Sequence, residues 1–172
     1  LISISLNAPK IYSIDKENGF LLLEDLGDNL FSKVLNANNE ESLYKKAIDI
    51  LIYLHDRNIN QFSKNNLVEN YSDEKLISES ELFVDWYIKS YLNININKNQ
   101  INEFKEIFSK IITSLKLKYN TLVLRDFHVD NLVLQHSKSG LCQVGLLDFQ
   151  DAVLGQSSYD LISLIEDVRR PI

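Results

Sequence analysis

Two acidic stations separated by short apolar runs constrain this chain more than any other feature. The first is Arg125-Asp126-Phe127-His128-Val129-Asp130-Asn131 and the second is Leu146-Leu147-Asp148-Phe149-Gln150-Asp151. Leu122-Val123-Leu124 leads into the first and Leu132-Val133-Leu134 leads out of it, while Ser137-Lys138-Ser139-Gly140 supplies turn residues before a run from Cys142 to Leu147. Runs this short and apolar, punctuated by Gly and Ser, predict strands joined as a β-hairpin. Asn131 and Asp148 are then expected to converge across neighbouring strands.

Phosphoryl transfer from a nucleotide needs such a set. One carboxylate accepts the proton of the attacking hydroxyl, and a second carboxylate with a neutral oxygen ligand holds magnesium on the phosphates. Asp126 suits the first role, and Asp148 and Asn131 suit the other two. The Asp-x4-Asn spacing from Asp126 to Asn131 matches the catalytic loop of kinases, and Asp148-Phe149-Gln150 stands where those enzymes carry Asp-Phe-Gly. Magnesium takes hard oxygen ligands of this kind and keeps water and phosphate in its other positions. Singly, each piece has an ordinary explanation, because Asp and Asn also build turns. Their order, their strand contexts and the downstream Gly155-Gln156-Ser157-Ser158-Tyr159-Asp160-Leu161 make the joint reading specific.

With these motifs in place, residues 122–170 resemble the aminoglycoside phosphotransferase and choline kinase group, whose signature is His-Gly-Asp-x4-Asn, then an Asp-centred metal motif, then Gly-x3-Tyr-Asp. Residues 124–132, 145–152 and 164–170 look most like the bacterial N-acetylmuramate/N-acetylglucosamine anomeric kinases. That subfamily has Arg-Asp-Tyr/Phe-His in place of His-Gly-Asp, so Leu124 is a subfamily trait. The resemblance implies an α+β, protein-kinase-like fold with a mostly helical C-lobe at 29–172 built around the catalytic hairpin. Residues 1–28 would be a remnant of the last N-lobe strands and the hinge. Pro9-Lys10-Ile11-Tyr12 and the stretch from Gly19 to Asp28 look like those strands, with backbone groups at Glu24, Asp25 and Leu26 binding adenine; Leu21 to Leu23 also reads simply as a buried strand.

The implied activity is transfer of the γ-phosphoryl group of ATP, with Mg²⁺, to a small-molecule hydroxyl. The first choice is the anomeric hydroxyl of N-acetylmuramate or N-acetylglucosamine in cell-wall recycling. Aminoglycoside, choline and homoserine acceptors stay open, as does a non-catalytic binding module of the same fold, although retention of Asp126, Asn131 and Asp148 argues against the module. Family members begin with a glycine-rich phosphate loop, a strand lysine and a helix bearing its glutamate partner, whereas the hinge pattern here follows almost at once. The chain has no methionine. The expectation is an internal segment of a longer polypeptide, inactive alone because positioning of the phosphates is much of the catalysis.

At 172 residues, 45% hydrophobic and 24% charged, the chain suits a globular core. A net charge of −6 lacks the basic footprint of nucleic-acid binding and disfavours anionic membranes. Cys142, the only cysteine, excludes an intrachain disulfide and fits a reducing cytoplasm; its apolar neighbours place it on a strand. No run approaches membrane-spanning length, so a soluble, cytoplasmic protein is expected.

Helical periodicity is strongest in Leu43, Ala47, Ile50, Leu51 and Leu54, preceded by the possible caps Asn38 and Asn39. It recurs in Ile101, Phe104, Phe108, Ile111, Ile112 and Leu115, and in Leu76, Phe83, Trp86, Tyr87 and Tyr91 over residues 73–92. Shorter helices are expected at 29–35 and 158–168, with polar connections at 58–71 and 93–99. His128 is read either as a ligand of a phosphate oxygen or as a loop-stabilising residue. His55 is read as a helix-end histidine and His136 as an exposed turn residue. Asp160 resembles the family's post-metal aspartate, which implies that it braces the catalytic loop by hydrogen bonds and does not act in catalysis. Trp86 and Tyr87 are expected in the core, with sugar stacking as the alternative.

Overall fold

The computed structural model describes residues 1–57, 62 and 68–168. The five apolar positions at helical spacing between residues 43 and 54 turn inward: Leu43, Ala47, Ile50, Leu51 and Leu54 are the buried residues of a helix over Glu40–His55 (α2), which a single turn, Phe31–Val34 (α1), precedes. Asn39 is its N-cap residue, but its side chain makes no capping bond and instead accepts from the Asn36 amide at 2.8 Å. His55 closes α2, and burial lowers its pKa.

The main core packs this face of α2 against Leu122, Leu124, Phe127, Val129, Leu132, Leu146 and Leu154. Leu6 joins the same core, so the amino-terminal segment is tied to it. Asn7 extends the tie by accepting the Leu146 amide on its carbonyl at 2.8 Å and donating from its side chain to the Cys142 carbonyl at 3.0 Å.

Among the described residues, the strands form three two-stranded antiparallel units. In the first, Ile11–Asp15 (β1) pairs with Phe20–Leu23 (β2), and the Asp15 carboxylate closes the turn by accepting the amides of Glu17 and Asn18. Every residue of both strands is exposed, Phe20 at 69%. The buried-strand reading of Leu21 to Leu23 is therefore corrected: the two strands pair only with each other, and no described element covers them.

Thr121–Val123 (β3) pairs with Val153–Gly155 (β6), a strand the sequence reading did not anticipate. Leu132–Leu134 (β4) pairs with Val144–Leu146 (β5) in the expected hairpin, with Leu132 opposite Leu146. Cys142 is not on that strand. Gly140–Gln143 forms a 3₁₀ turn, which leaves Cys142 half-buried with its thiol 3.4 Å from the Ser5 carbonyl. His136 is exposed in the hairpin turn, as expected.

A helical arm departs further from expectation. Ser72 caps Asp73–Leu82 (α3) by accepting the Lys75 amide, and the helix continues as a π-helical stretch over Phe83–Tyr91. Lys98–Leu115 (α4) follows, started by a capping box between Asn97 and Gln100, so Asn99 lies inside the helix and not in the connection. Of the periodic apolar residues of α4 only Ile112 is buried. Trp86 is 70% and Tyr87 47% exposed, so neither is core. The wider π-helical turn lines up Phe83, Tyr87 and Tyr91 in a stacked row, which continues through Phe104 to Phe108 on the neighbouring helix. Ser158–Ile165 (α5) ends before the expected Val168. Part of the 58–71 connection and the tail at 169–172 lie outside the described residues. Among the described residues no helix is long and apolar enough to cross a membrane.

Identical periodicity thus marks two helices with different partners, and stability should tell them apart. Ile50→Ala, at a fully buried site, is expected to cost about 2–5 kcal/mol in urea denaturation, whereas Ile111→Ala, at a site 49% exposed, should stay within about 1 kcal/mol.

Candidate active site

The loop between β3 and β4 is pinned from below by apolar side chains. Phe127 and Val129 are 2% and 1% exposed in the main core, while Asp126 before them faces solvent. Ser32 reinforces the anchor by donating its amide to the Val129 carbonyl at 3.1 Å.

From above, Asp160 in the first turn of α5 accepts two amides, Leu124 at 2.7 Å and Arg125 at 2.9 Å. Arg125 has a left-handed backbone, φ 72°, which costs a non-glycine residue about 1 kcal/mol or more. The Asp160 bonds offset that cost, as does Ser163, whose hydroxyl donates to the Arg125 carbonyl at 3.1 Å. The bracing role expected of Asp160 is therefore visible. Burial pushes its carboxyl up to about 6, against the two amide bonds that pull it down, and the nearby Asp126 charge adds to the rise.

Asn131 closes the loop. Its Nδ2 donates to the Asp126 carbonyl at 3.0 Å and lies 3.3 Å from His128 Nε2. With the amide nitrogen so used, Oδ1 is left as an acceptor. The Leu147 amide donates to the Asn131 carbonyl at 2.9 Å, so the hairpin places Asp148 one residue beyond Asn131's partner. Asp148 is exposed, with a left-handed φ of 54°, and Gln150 Nε2 donates to its Oδ1 at 2.5 Å. No described residue bonds to its second oxygen. One carboxylate oxygen and one carboxamide oxygen at the same hairpin end are the hard donors a magnesium ion takes when phosphates complete its shell. Among the described residues no group of three or more His, Cys, Asp or Glu side chains gathers for a metal.

His128 is 8% exposed and lies inside the loop, with its Nδ1 buried and without a hydrogen-bond partner among the described residues. At the expected hinge, the Glu24 amide donates to the Lys10 carbonyl at 2.8 Å, the Asp25 carboxylate accepts the Gly27 amide at 2.7 Å, and Gln135 donates to the Leu26 carbonyl. Ala8, Pro9, Ile11 and Phe149 line an open cavity of about 350 Å³ beside β1.

Sequence reasoning missed three contributors. Gln150 was visible only as a departure from glycine, although an amide two residues after an acid can reach back to it. Glu79 and Ser163 carried no local signal, because both act on Arg125 across the fold.

Residues 2–172 match the model of the phosphotransferase enzyme family. The chain belongs to that family. It is 31% identical over 172 residues to an N-acetylmuramate/N-acetylglucosamine kinase of Caulobacter vibrioides, covering 97% of this chain and 47% of that protein. It is 32% identical over 167 residues to the kinase of that name from Pseudomonas putida, covering 97% and 46%. The chain thus spans about half the length of these curated relatives. The fold matches the GDP complex of a variant of aminoglycoside 2'-phosphotransferase IIIa with a TM-score of 0.58 at 16% identity, over 94% of this chain and 55% of that one. Membership brings the protein-kinase-like fold with it, and the family match takes in the hairpin of β4 and β5.

The clamp is open to direct test. Asp160→Ala leaves two loop amides without their acceptor and should cost about 2–4 kcal/mol in urea unfolding. Because the folded pKa lies above the ordinary 3.8, Asp160 lowers stability as pH rises from about 4 to about 6, with no further change above. Asp160→Asn should flatten that part of the stability profile.

Proposed function

We propose that this chain supplies the catalytic half of an ATP-dependent sugar kinase that phosphorylates the anomeric hydroxyl of N-acetylmuramate or N-acetylglucosamine. The observation that carries this reading is similarity along 97% of the chain to kinases of those two sugars, coinciding with the grouping of Asp126, Asn131 and Asp148 around one hairpin. The aminoglycoside neighbour, at 16% identity, speaks for the fold and not for the acceptor.

In this reading the sugar hydroxyl gives its proton to the Asp126 carboxylate as its oxygen attacks the γ-phosphorus, and the bond to the ADP oxygen breaks. The exposed position of Asp126 on an anchored loop suits it to meet a mobile substrate. Asn131 Oδ1 and Asp148 would hold magnesium, which would offset the charge of the β- and γ-phosphates. Gln150 would fix the rotamer of Asp148. His128, buried beside Asn131, would keep the carboxamide turned outward. The Glu24 carbonyl, the Asp25 backbone and the Leu26 amide are the hinge groups offered to adenine, since the Glu24 amide and Leu26 carbonyl are already bonded. Such a kinase would act in the cytoplasm on sugars released during cell-wall recycling.

Two measurements on the complete polypeptide bear on this. With ATP and magnesium, N-acetylglucosamine or N-acetylmuramate should lose its reducing-end reactivity as the anomeric oxygen becomes blocked. Turnover on an aminoglycoside or choline with none on either amino sugar would reject the acceptor while keeping the chemistry. In calorimetry, Asp148→Ala should weaken magnesium-dependent ATP binding more than Asn131→Ala, because a charged ligand attracts Mg²⁺ more than a neutral amide does. Unchanged affinity in Asp148→Ala would remove that residue from the metal.

A further inference from the structure

Arg125 precedes the proposed base, and its side chain reaches to the helical arm. Its Nη2 lies 2.9 Å from Glu79 Oε1, and its guanidinium carbon sits 5.2 Å from the centre of the Tyr71 ring. The Tyr71 hydroxyl donates to the other oxygen of Glu79. Burial first, and then hydrogen bonding to Glu79, raises the pKa of that hydroxyl, so it remains a donor. The ion pair is largely sheltered, its side chains 22% and 29% exposed. None of these contacts is used in moving a phosphoryl group.

Among the described residues, the first helix of the arm is held to the body by few ties. Helix α3 buries no side chain completely. Leu76 packs half-buried against the cluster of Tyr71, Val123 and Val153, Asp73 accepts the Tyr119 hydroxyl, and Glu79 takes Tyr71 and Arg125. Of these, only the Glu79 tie ends on the loop that bears Asp126. At that end there is little slack, because Asp160 holds the Arg125 amide and Ser163 its carbonyl, with the backbone in a left-handed conformation.

We propose that the Arg125–Glu79 pair is the joint through which the helical arm at 73–115 sets the position of Asp126, with Arg125 as a positioning residue. The proposal rests on the reading of Asp126 as the base. A shift of α3 pulls on a guanidinium whose own backbone cannot yield without moving the next residue. Displacements on the scale of an ångström at a reacting group are enough to slow turnover severely.

The test compares Glu79→Ala, Glu79→Gln and Tyr119→Phe in the complete polypeptide, at a temperature where circular dichroism shows each to be folded. Glu79→Ala should lower kcat about ten- to a hundredfold, keep the KM for ATP within about threefold, and speed amide hydrogen exchange at residues 124–131. Glu79→Gln, which can still accept from the guanidinium, should recover most of the rate. Tyr119→Phe cuts the other polar tie described between α3 and the body and should leave kcat near the unmodified value. If Glu79→Ala does not fold, Glu79→Asp, shorter by one methylene, carries the same comparison. Unaltered kcat and exchange in the Glu79 variants, or an equal loss in Tyr119→Phe, would overturn the joint. A protein inactive on every acceptor would reject the kinase reading alone, since the exchange comparison still decides the joint.

Discussion

A buried carboxylate that accepts two adjacent amides holds the site together. Asp160 is 1% exposed, and a carboxylate at that depth is stable only if its oxygens are satisfied. The Leu124 and Arg125 amides satisfy them, and in return the carboxylate holds Arg125 in a conformation it would not adopt unaided. The turn this creates aims Asp126 at solvent while Phe127 drops into the core. Without the clamp, the loop would keep its apolar anchors and lose its direction.

The hairpin adds a second constraint of a different kind. Strand register is fixed by packing on both faces: Leu132 and Leu146 pack in the main core, while Val133 lies opposite Gly145 in a place also buried, so a slip by one residue would bring a larger side chain to the glycine's position. The same register puts Asn131 and Asp148 at one end of the ladder. The candidate metal ligands are therefore placed by the hydrophobic burial of the strands they flank. Gly145 shows how closely this is packed: a Cβ there would fall 2.6 Å from Leu26 Cδ1, so Leu26 and the hairpin meet at that glycine.

Much of this was legible in the sequence, where local pattern and tertiary partner agreed. The face of α2 was read residue for residue because its periodic positions meet a large core. The hairpin and the Asp160 brace were read because turn residues and a family motif coincided with packing. The arm was misread for the opposite reason. Its helices have the period of buried elements, but periodicity says only which residues share a face and nothing of what covers that face. Trp86, Tyr87 and Ile111 share such faces and are exposed, just as Leu21 to Leu23 are on the β1–β2 ribbon. Cys142 was misplaced by its apolar neighbours because a 3₁₀ turn, begun at a glycine with φ 58°, takes up the residues before Val144. The link from Arg125 to Glu79 spans the fold and left no trace in either local pattern.

The account stands on Asp126 as the group that takes the acceptor's proton, and an isosteric substitution tests it most directly. In the complete polypeptide, Asp126→Asn keeps the size of the side chain and removes its basicity. Turnover should fall by about a hundredfold or more, while calorimetry of magnesium-dependent ATP binding shows an affinity close to that of the unmodified protein. A variant that turns over at nearly the normal rate would contradict the account.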